Sequence, residues 1–288
     1  MFKEVFYQTI YSTDSLKNIH TDILTIGDSF SQQGKGGYQN YLCKKGLSVI
    51  NSYRKLYSNP IQYAFNILDE NIVDSTNIQY LIVENVERDF EGSILAFYPG
   101  KKEVPSMDLP TDSSKSANEW SVSRTRDFIL YKIGIESPIY NSKLDTDLFS
   151  SDEANALYFY HDDIEAGPTI KKDSEEKIKQ VFEILKHKAE EKGITLILLV
   201  AVDKYDLYQN HIINNPWPKK TVNEDIERII GKSPNLLISK HHITPLVEKG
   251  EKDVFMFNDT HWSYKASKVV ADELYNRIEY LGSKYDTD

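Results

Sequence analysis

A three-layer α/β/α sandwich around a mostly parallel sheet is the fold class this sequence predicts, on two observations. Strand-like and helix-like patterns alternate through residues 22–83 and return from residue 173. Alternation of that kind pairs strands in parallel through right-handed crossovers. The stretch Ile194 to Val202 is almost continuously apolar, as expected of a parallel strand covered on both faces. The 288 residues can bury a sizeable core, and they are read as one domain, 1–288, carrying an insertion at about 100–172.

Taken in order, Asp22-Ile23-Leu24-Thr25-Ile26 reads as a short β-branched strand, broken by the turn residues Gly27 and Asp28. Helical residues follow from Tyr38 to Lys45, with Gly46 as the stop. Leu47 to Asn51 is the second strand. Pro60 suits the first turn of a second helix, with Ile61, Ala64, Phe65, Leu68 and Ile72 facing inward. The third strand spans 78–83. The rhythm then lapses: Lys101 to Asn118 is rich in Pro, Ser, Asp and Lys and reads as loop, and Leu157 to Asp163 is a short aromatic run. This region is expected to lie over the carboxyl edge of the sheet; a surface excursion is the alternative. Asp173 or Ser174 caps a helix reaching about Lys192, with Ile178, Val181, Phe182, Leu185 and Ala189 on one stripe. Ser263 caps the last helix, which buries Ala266, Val269, Val270, Leu274 and Ile278.

Two polar breaks carry chemistry. Ser29, in Gly27-Asp28-Ser29-Phe30, sits in a strand-to-helix turn at the carboxyl end of a strand, where α/β sheets bind ligands. A hydroxyl there is exposed, with backbone N–H groups near enough to face a developing oxyanion. Asp259 and His261, in Asp259-Thr260-His261-Trp262, lie two apart in a loop, so a bend lets the carboxylate hold the imidazole and fix its tautomer. Serine, histidine and aspartate are the parts of a nucleophilic acyl-transfer site. Separately, each has a plainer reading: Ser29 as a helix cap, Asp259 as a turn residue, His261 as a surface histidine.

The two blocks together resemble the SGNH/GDSL hydrolase superfamily, whose serine lies in an N-terminal GDS block and whose Asp and His lie near the C-terminus. GDSF and DTHW are similar to the alginate-type polysaccharide O-acetyltransferase branch. Tyr80 to Arg88 and Val202 to Tyr208 resemble that branch's strand ending in an acidic-Arg pair and its Asp-Lys-Tyr segment. Two features depart from the pattern. The serine block comes first here, whereas DTHW precedes GDSF in the alginate proteins. The usual SGNH Gly-x-Asn-Asp oxyanion block is absent, and Glu84-Asn85-Val86-Glu87-Arg88 stands in its place. The resemblance implies a flavodoxin-like SGNH fold, Ser29 as nucleophile, His261 as base and Asp259 as its orienter. Arg88, Asn85 and Trp262 are the substrate-binding candidates. Arg88 matches the branch's arginine and orients the acyl or sugar group, or forms a structural salt bridge with Glu84 or Glu87; Asn85 competes with it for the second oxyanion contact. The reaction that the resemblance implies is O-acetyl transfer to a polysaccharide or glycan. An SGNH-type acetylesterase acting on a carbohydrate or small ester is the alternative, and a non-catalytic carbohydrate-binding relative is the third reading.

Net charge of −10 argues against a nucleic-acid partner. Cys43 is the only cysteine, so neither an intrachain disulfide nor a cysteine zinc site is expected. His241 and His242 are adjacent, an arrangement that rarely shares a metal; no metal and no organic cofactor are expected. No run of 18 apolar residues occurs and the N-terminus lacks signal-peptide character, so the cytoplasm is expected, or an extracytoplasmic site if a leader has been removed. The resemblance also allows association with a membrane-bound acyl-donor system.

Overall fold

Short β-branched and apolar runs build the centre of the molecule in the computed structural model, which describes residues 1–17, 19–102 and 138–285. The strands are β1 (Gln8–Ile10), β2 (Ile23–Ile26), β3 (Val49–Ser52), β4 (Tyr80–Val86), β5 (Ile139–Lys143), β6 (Ala156–Tyr160), β7 (Thr195–Ala201) and β8 (Leu236–Ile238). Six of them form a sheet in the order β1-β3-β2-β4-β7-β8, and every neighbouring pair is parallel. β5 and β6 form a separate antiparallel hairpin. The helices are α1 (Tyr38–Lys44), α2 (Pro60–Asp69), α3 (Glu87–Ala96), α4 (Asp162–Glu165), α5 (Glu175–Glu191), α6 (Lys204–Tyr208), α7 (Val222–Ile230), α8 (Ser239–Glu248) and α9 (Tyr264–Tyr285).

Period-two alternation assigns the strand side chains to two cores. Leu24, Leu81, Val83, Leu196 and Leu198 pack with α2, α3, α5 and α7. Ile23, Ile82, Ile197 and Leu199 pack with α1, α8 and α9 on the opposite face. The helical stripes read from the sequence are the ones buried: Ile178, Val181, Phe182, Leu185 and Ala189 line the inner side of α5. Asn59 caps α2 by accepting from the N–H groups of Ile61 and Gln62, with Pro60 at the first position.

The strand order places a topological switch at β2. From β2 the chain steps to β3 on one side, then crosses to β4 on the other. α1 and α2, on these successive connections, cover opposite faces. The diverging connections leave a crevice at the carboxyl ends of β2 and β4, the position at which such sheets bind ligands.

Three elements differ from the sequence reading. β1 adds a parallel edge strand that its three residues were too short to signal. β4 runs on to Val86, so Glu84 and Asn85 lie inside a fully buried strand and α3 starts directly after it; the Ser31 hydroxyl, donating to Glu84, gives that polar side chain a partner there. The aromatic run folds as β6 followed by α4. The loop expected between Lys101 and Asn118 lies almost wholly outside the described residues. No helix among the described residues is long and apolar enough to cross a membrane.

Leu198 is 1% exposed at the centre of β7, between β4 and β8. Leu198→Ala is expected to lower the unfolding free energy by about 2–5 kcal/mol, read from the urea midpoint at unchanged slope.

Candidate active site

The turn after β2 is shaped by what presses on it. A Cβ at Gly27 would stand 2.8 Å from the Glu84 Cβ and closer still to Ser31 Oγ and Glu84 Oε2, so only glycine fits. The Tyr57 hydroxyl holds the same residue from the other side, donating to the Gly27 carbonyl (2.7 Å) and accepting from its N–H (2.9 Å). Asp28 then bridges two segments: its carboxylate accepts from Phe30 N–H at 2.9 Å and from Val86 N–H, at the end of β4, at 2.7 Å. Ser29 follows at the start of a short 3-10 turn, 9% exposed.

The second block is a tight loop closed by an antiparallel bridge between Phe255 and Trp262. Met256 N–H donates to the His261 carbonyl (3.1 Å), and Ser263 N–H to that of Val254 (2.8 Å). The loop presents His261 to Ser29. The two are 232 positions apart in sequence, and the Ser29 hydroxyl lies 2.6 Å from His261 Nε2. Nδ1 of the same ring lies 2.6 Å from Asp259 Oδ1, which also accepts from the His261 backbone N–H at 3.1 Å. With Asp259 accepting at Nδ1, the neutral ring carries its proton there and offers Nε2 as a base. Each heavy-atom distance lies within the range for direct proton transfer.

Aromatic packing locks the blocks together. The Phe30 ring lies 4.7 Å from that of His261 and 4.8 Å, edge to face, from that of Trp262. Gln33 Nε2 donates to the Trp262 carbonyl (3.2 Å), while its Oε1 accepts from Ser267 in α9 (3.0 Å). Trp262, a substrate-binding candidate in the sequence, is fully buried, packs against Phe30 in the core and does not line the cleft over Ser29.

A cleft of about 690 Å³ opens over Ser29, walled by Asp28, Arg54, Arg88, Tyr160 and Asp259 among others. The hairpin β5–β6 reaches this wall through Ile139 and Tyr160. Arg88 is held by Asp163 at 2.9 Å and lies over the Tyr160 ring at 5.9 Å. Burial and the nearby Asp203 push the Asp163 carboxyl up to about 7 despite Arg88. Asn85 is 1% exposed and is not part of the cleft wall; its Oδ1 has no hydrogen-bond partner. Of the two competing residues, then, only Arg88 faces the cleft.

Buried charge surrounds the base of the site. Glu84 is fully enclosed; burial and the neighbouring Asp28 hold its carboxyl well above the usual carboxylate range. Glu87 and Asp203 form a second pair below the cleft, where burial and Asp203 raise Glu87, and Lys220 bonds both. Lys204 is also fully buried, and desolvation draws its amine down to about 7. Among the described residues, His161, Asp162 and Glu165 form the one group whose ligand atoms, within 4.8 Å of one another, could hold a metal; an ion pair of 3.0 Å between His161 and Asp162 already ties it together. His241 and His242 turn to different carboxylates, Glu227 and Glu273.

With this geometry in view, the chain can be set beside known proteins. Residues 155–287 match the family model described as SGNH hydrolase-like domain, acetyltransferase AlgX. The match covers the DTHW block and agrees with the likeness read from it, while the GDSF block lies outside it; the parallel sheet with helices on both faces is consistent with the α/β fold of an SGNH hydrolase-like domain. The matched stretch contains Asp259, His261 and Lys204; Ser29, Asn85 and Arg88 precede it. No curated protein matches the chain.

Sequence reasoning passed over Asp28, Tyr57, Glu84 and Lys204 as parts of the site. Asp28 was read only as a turn breaker. The others could have been suspected from polar residues standing in or beside apolar strands.

Two substitutions test this architecture. Gly27→Ala is expected to cost about 1–3 kcal/mol or more through overpacking against Glu84, measured by thermal unfolding. Arg88→Ala leaves the Asp163 carboxyl, 0% exposed, without its cation, and is expected to lower stability by about 3–5 kcal/mol. A stability unchanged by Arg88→Ala would make the ion pair incidental.

Proposed function

We propose that this protein transfers an acyl group, most simply acetyl, to a hydroxyl of a polysaccharide or glycan through a Ser-His-Asp relay. The observation carrying this reading is the continuous chain Ser29–His261–Asp259, with 2.6 Å at each link. The family match to an acetyltransferase domain supports acyl transfer rather than another use of the same triad.

In the proposed sequence His261 Nε2 takes the hydroxyl proton as Ser29 Oγ attacks the ester carbonyl of the donor. The carbonyl π electrons move to oxygen, giving a tetrahedral oxyanion. Ser29 N–H, at the start of its turn, is the proposed first donor to that oxyanion. Collapse expels the donor alcohol, which receives the proton from His261 and leaves an acyl-serine. A sugar hydroxyl then enters, gives its proton to His261 and attacks the acyl carbon. The second tetrahedral intermediate collapses as His261 returns that proton to Ser29 Oγ, breaking the acyl–serine bond and releasing the acylated sugar. Asp259 stays ionised throughout and stabilises the imidazolium. Arg88, on the cleft wall with its charge already met by Asp163, is proposed to orient the acyl or sugar group. Asn85 remains the proposed competitor for the second oxyanion contact and is separable from Arg88 by mutation.

Water in place of the sugar hydroxyl gives the acetylesterase, and the acceptor experiment separates the two. Purified protein is expected to release nitrophenol from p-nitrophenyl acetate. With a glycan acceptor present, acetylated sugar should accumulate at the expense of acetate; acetate alone would make the protein an esterase, and no turnover at all would favour a binding role. Ser29→Ala is expected to reduce the rate by about 10⁴-fold or more with the melting temperature nearly unchanged. Single substitutions of Ser29 and His261 and the triple variant should leave similar residual rates, because the three groups act as a unit.

A further inference from the structure

Lys204 is a costly residue to keep where it is. It is fully buried at the start of α6, directly after β7. An unpaired ammonium group there pays a large desolvation penalty that an apolar side chain of similar length avoids. All three of its N–H donors go to one place. Nζ donates to the carbonyls of Met256 (2.7 Å), Phe257 (2.8 Å) and Asp259 (3.1 Å). The Phe149 ring covers it at 5.1 Å and also packs edge to face on Phe257.

Those carbonyls belong to the loop that carries Asp259. Three carbonyls converging inside a tight loop repel one another and need donors that the loop backbone does not supply; Asp259 N–H makes only a long bond, 3.4 Å, back to Met256. A lysine with three rotatable donors gathers them at a single point. The side chain of Asp259, anchored through its own carbonyl, then faces His261 Nδ1. The helix bearing Lys204 is itself fixed: Asp203 caps it by accepting from Asp206 N–H and pairs with Lys220.

We infer that Lys204 is a positioning residue of the acyl-transfer centre, its ammonium group setting where the Asp259 carboxylate meets His261. The inference rests on the proposed triad chemistry and deepens it. Lys204 touches no substrate; it acts through the loop. Asp259 and Asp163 are the charged groups that favour its protonated form against burial.

The test compares the wild type with Lys204→Met, which keeps the stem and removes every donor, and Lys204→Gln, which retains an amide. Labelling of Ser29 by a fluorophosphonate probe and turnover of p-nitrophenyl acetate report the chemistry. The low-field imidazole Nδ1–H resonance of His261 reports the bond to Asp259, and thermal unfolding reports the fold. A folded Lys204→Met is expected to lose about a hundredfold in kcat, the scale of a misplacement of about 1 Å, with KM little changed and the low-field resonance lost. Lys204→Gln should fall between it and the wild type. A folded Lys204→Met with wild-type kcat and resonance overturns the inference, and so does unfolding of both variants, which assigns Lys204 to the fold alone. A wild type that the probe does not label overturns the triad reading instead, and the resonance still decides the role of Lys204.

Discussion

The parallel pairing of β2 with β4 is the constraint on which the site depends. The register Ile23↔Tyr80 through Ile26↔Val83 brings the end of β2 beside the middle of β4, which continues three residues further. Whatever follows β2 must therefore pass over Glu84, Asn85 and Val86. Glycine at 27 answers the crowding. Asp28 answers the exposed Val86 N–H at the strand end, and in doing so fixes the angle at which the next residue leaves the sheet. Ser29 is thereby aimed by two strands rather than by one flexible loop. This is the preorganisation that an attacking hydroxyl needs, because geometry lost before the reaction has to be recovered during it.

Around this crossing the molecule buries polar groups that a core normally excludes. Burial holds the Glu84 carboxyl well above the usual range, and it accepts from Ser31 at 2.9 Å. Glu87, Asp203 and Asp206 face Lys220 and Lys240, with Asn223 spanning Glu87 and Asp206. Apolar replacements of equal volume would often be as stable or more so, so stability alone gives no reason for the network. Its geometry does. The network joins the carboxyl ends of β4 and β7 to α7 and α8, and so anchors Glu87 and Asp203, the residues that directly precede Arg88 and Lys204.

Much of this was legible in the sequence because period and punctuation are local signals. The stripe of α5, the cap and proline of α2, and the apolar run of β7 each announce themselves within a few residues. GDSF and DTHW announced the three groups of the relay by chemistry and by their places at element ends. What escaped was decided by partners distant in sequence. Glu84 and Asn85 look like the end of a strand until Ser31 and the β7 pairing are known. The burial of Trp262 is set by its packing against Phe30, far earlier in the chain. Arg88 stands near Glu84 and Glu87 in sequence but pairs with Asp163, 75 positions away. Lys204 gave only a resemblance, since nothing near it in sequence reveals that its three acceptors lie 52 to 55 residues further on.

The two halves of the relay come from opposite ends of the chain, so their meeting must be as stable as the fold itself. The contacts between the blocks make it so. Phe30 packs against both His261 and Trp262, and Trp262 is buried in the same core as Ala266, Val270 and Leu274 of α9. Gln33 ties the turn after Ser29 to both the Trp262 carbonyl and Ser267. Separating the backbone blocks that carry Ser29 and His261 therefore breaks the packing of Phe30 against His261 and Trp262 and the Gln33 bonds to Trp262 and Ser267. That costs several kcal/mol, on the scale of about 1.5–3 kcal/mol for each large apolar side chain exposed. An isolated hydrogen bond, worth about 1 kcal/mol net, could not keep these groups within reach unaided. The aromatic residues that flank Ser29 and His261 in both motifs supply that hold, and with it the geometry that the proposed proton transfer needs.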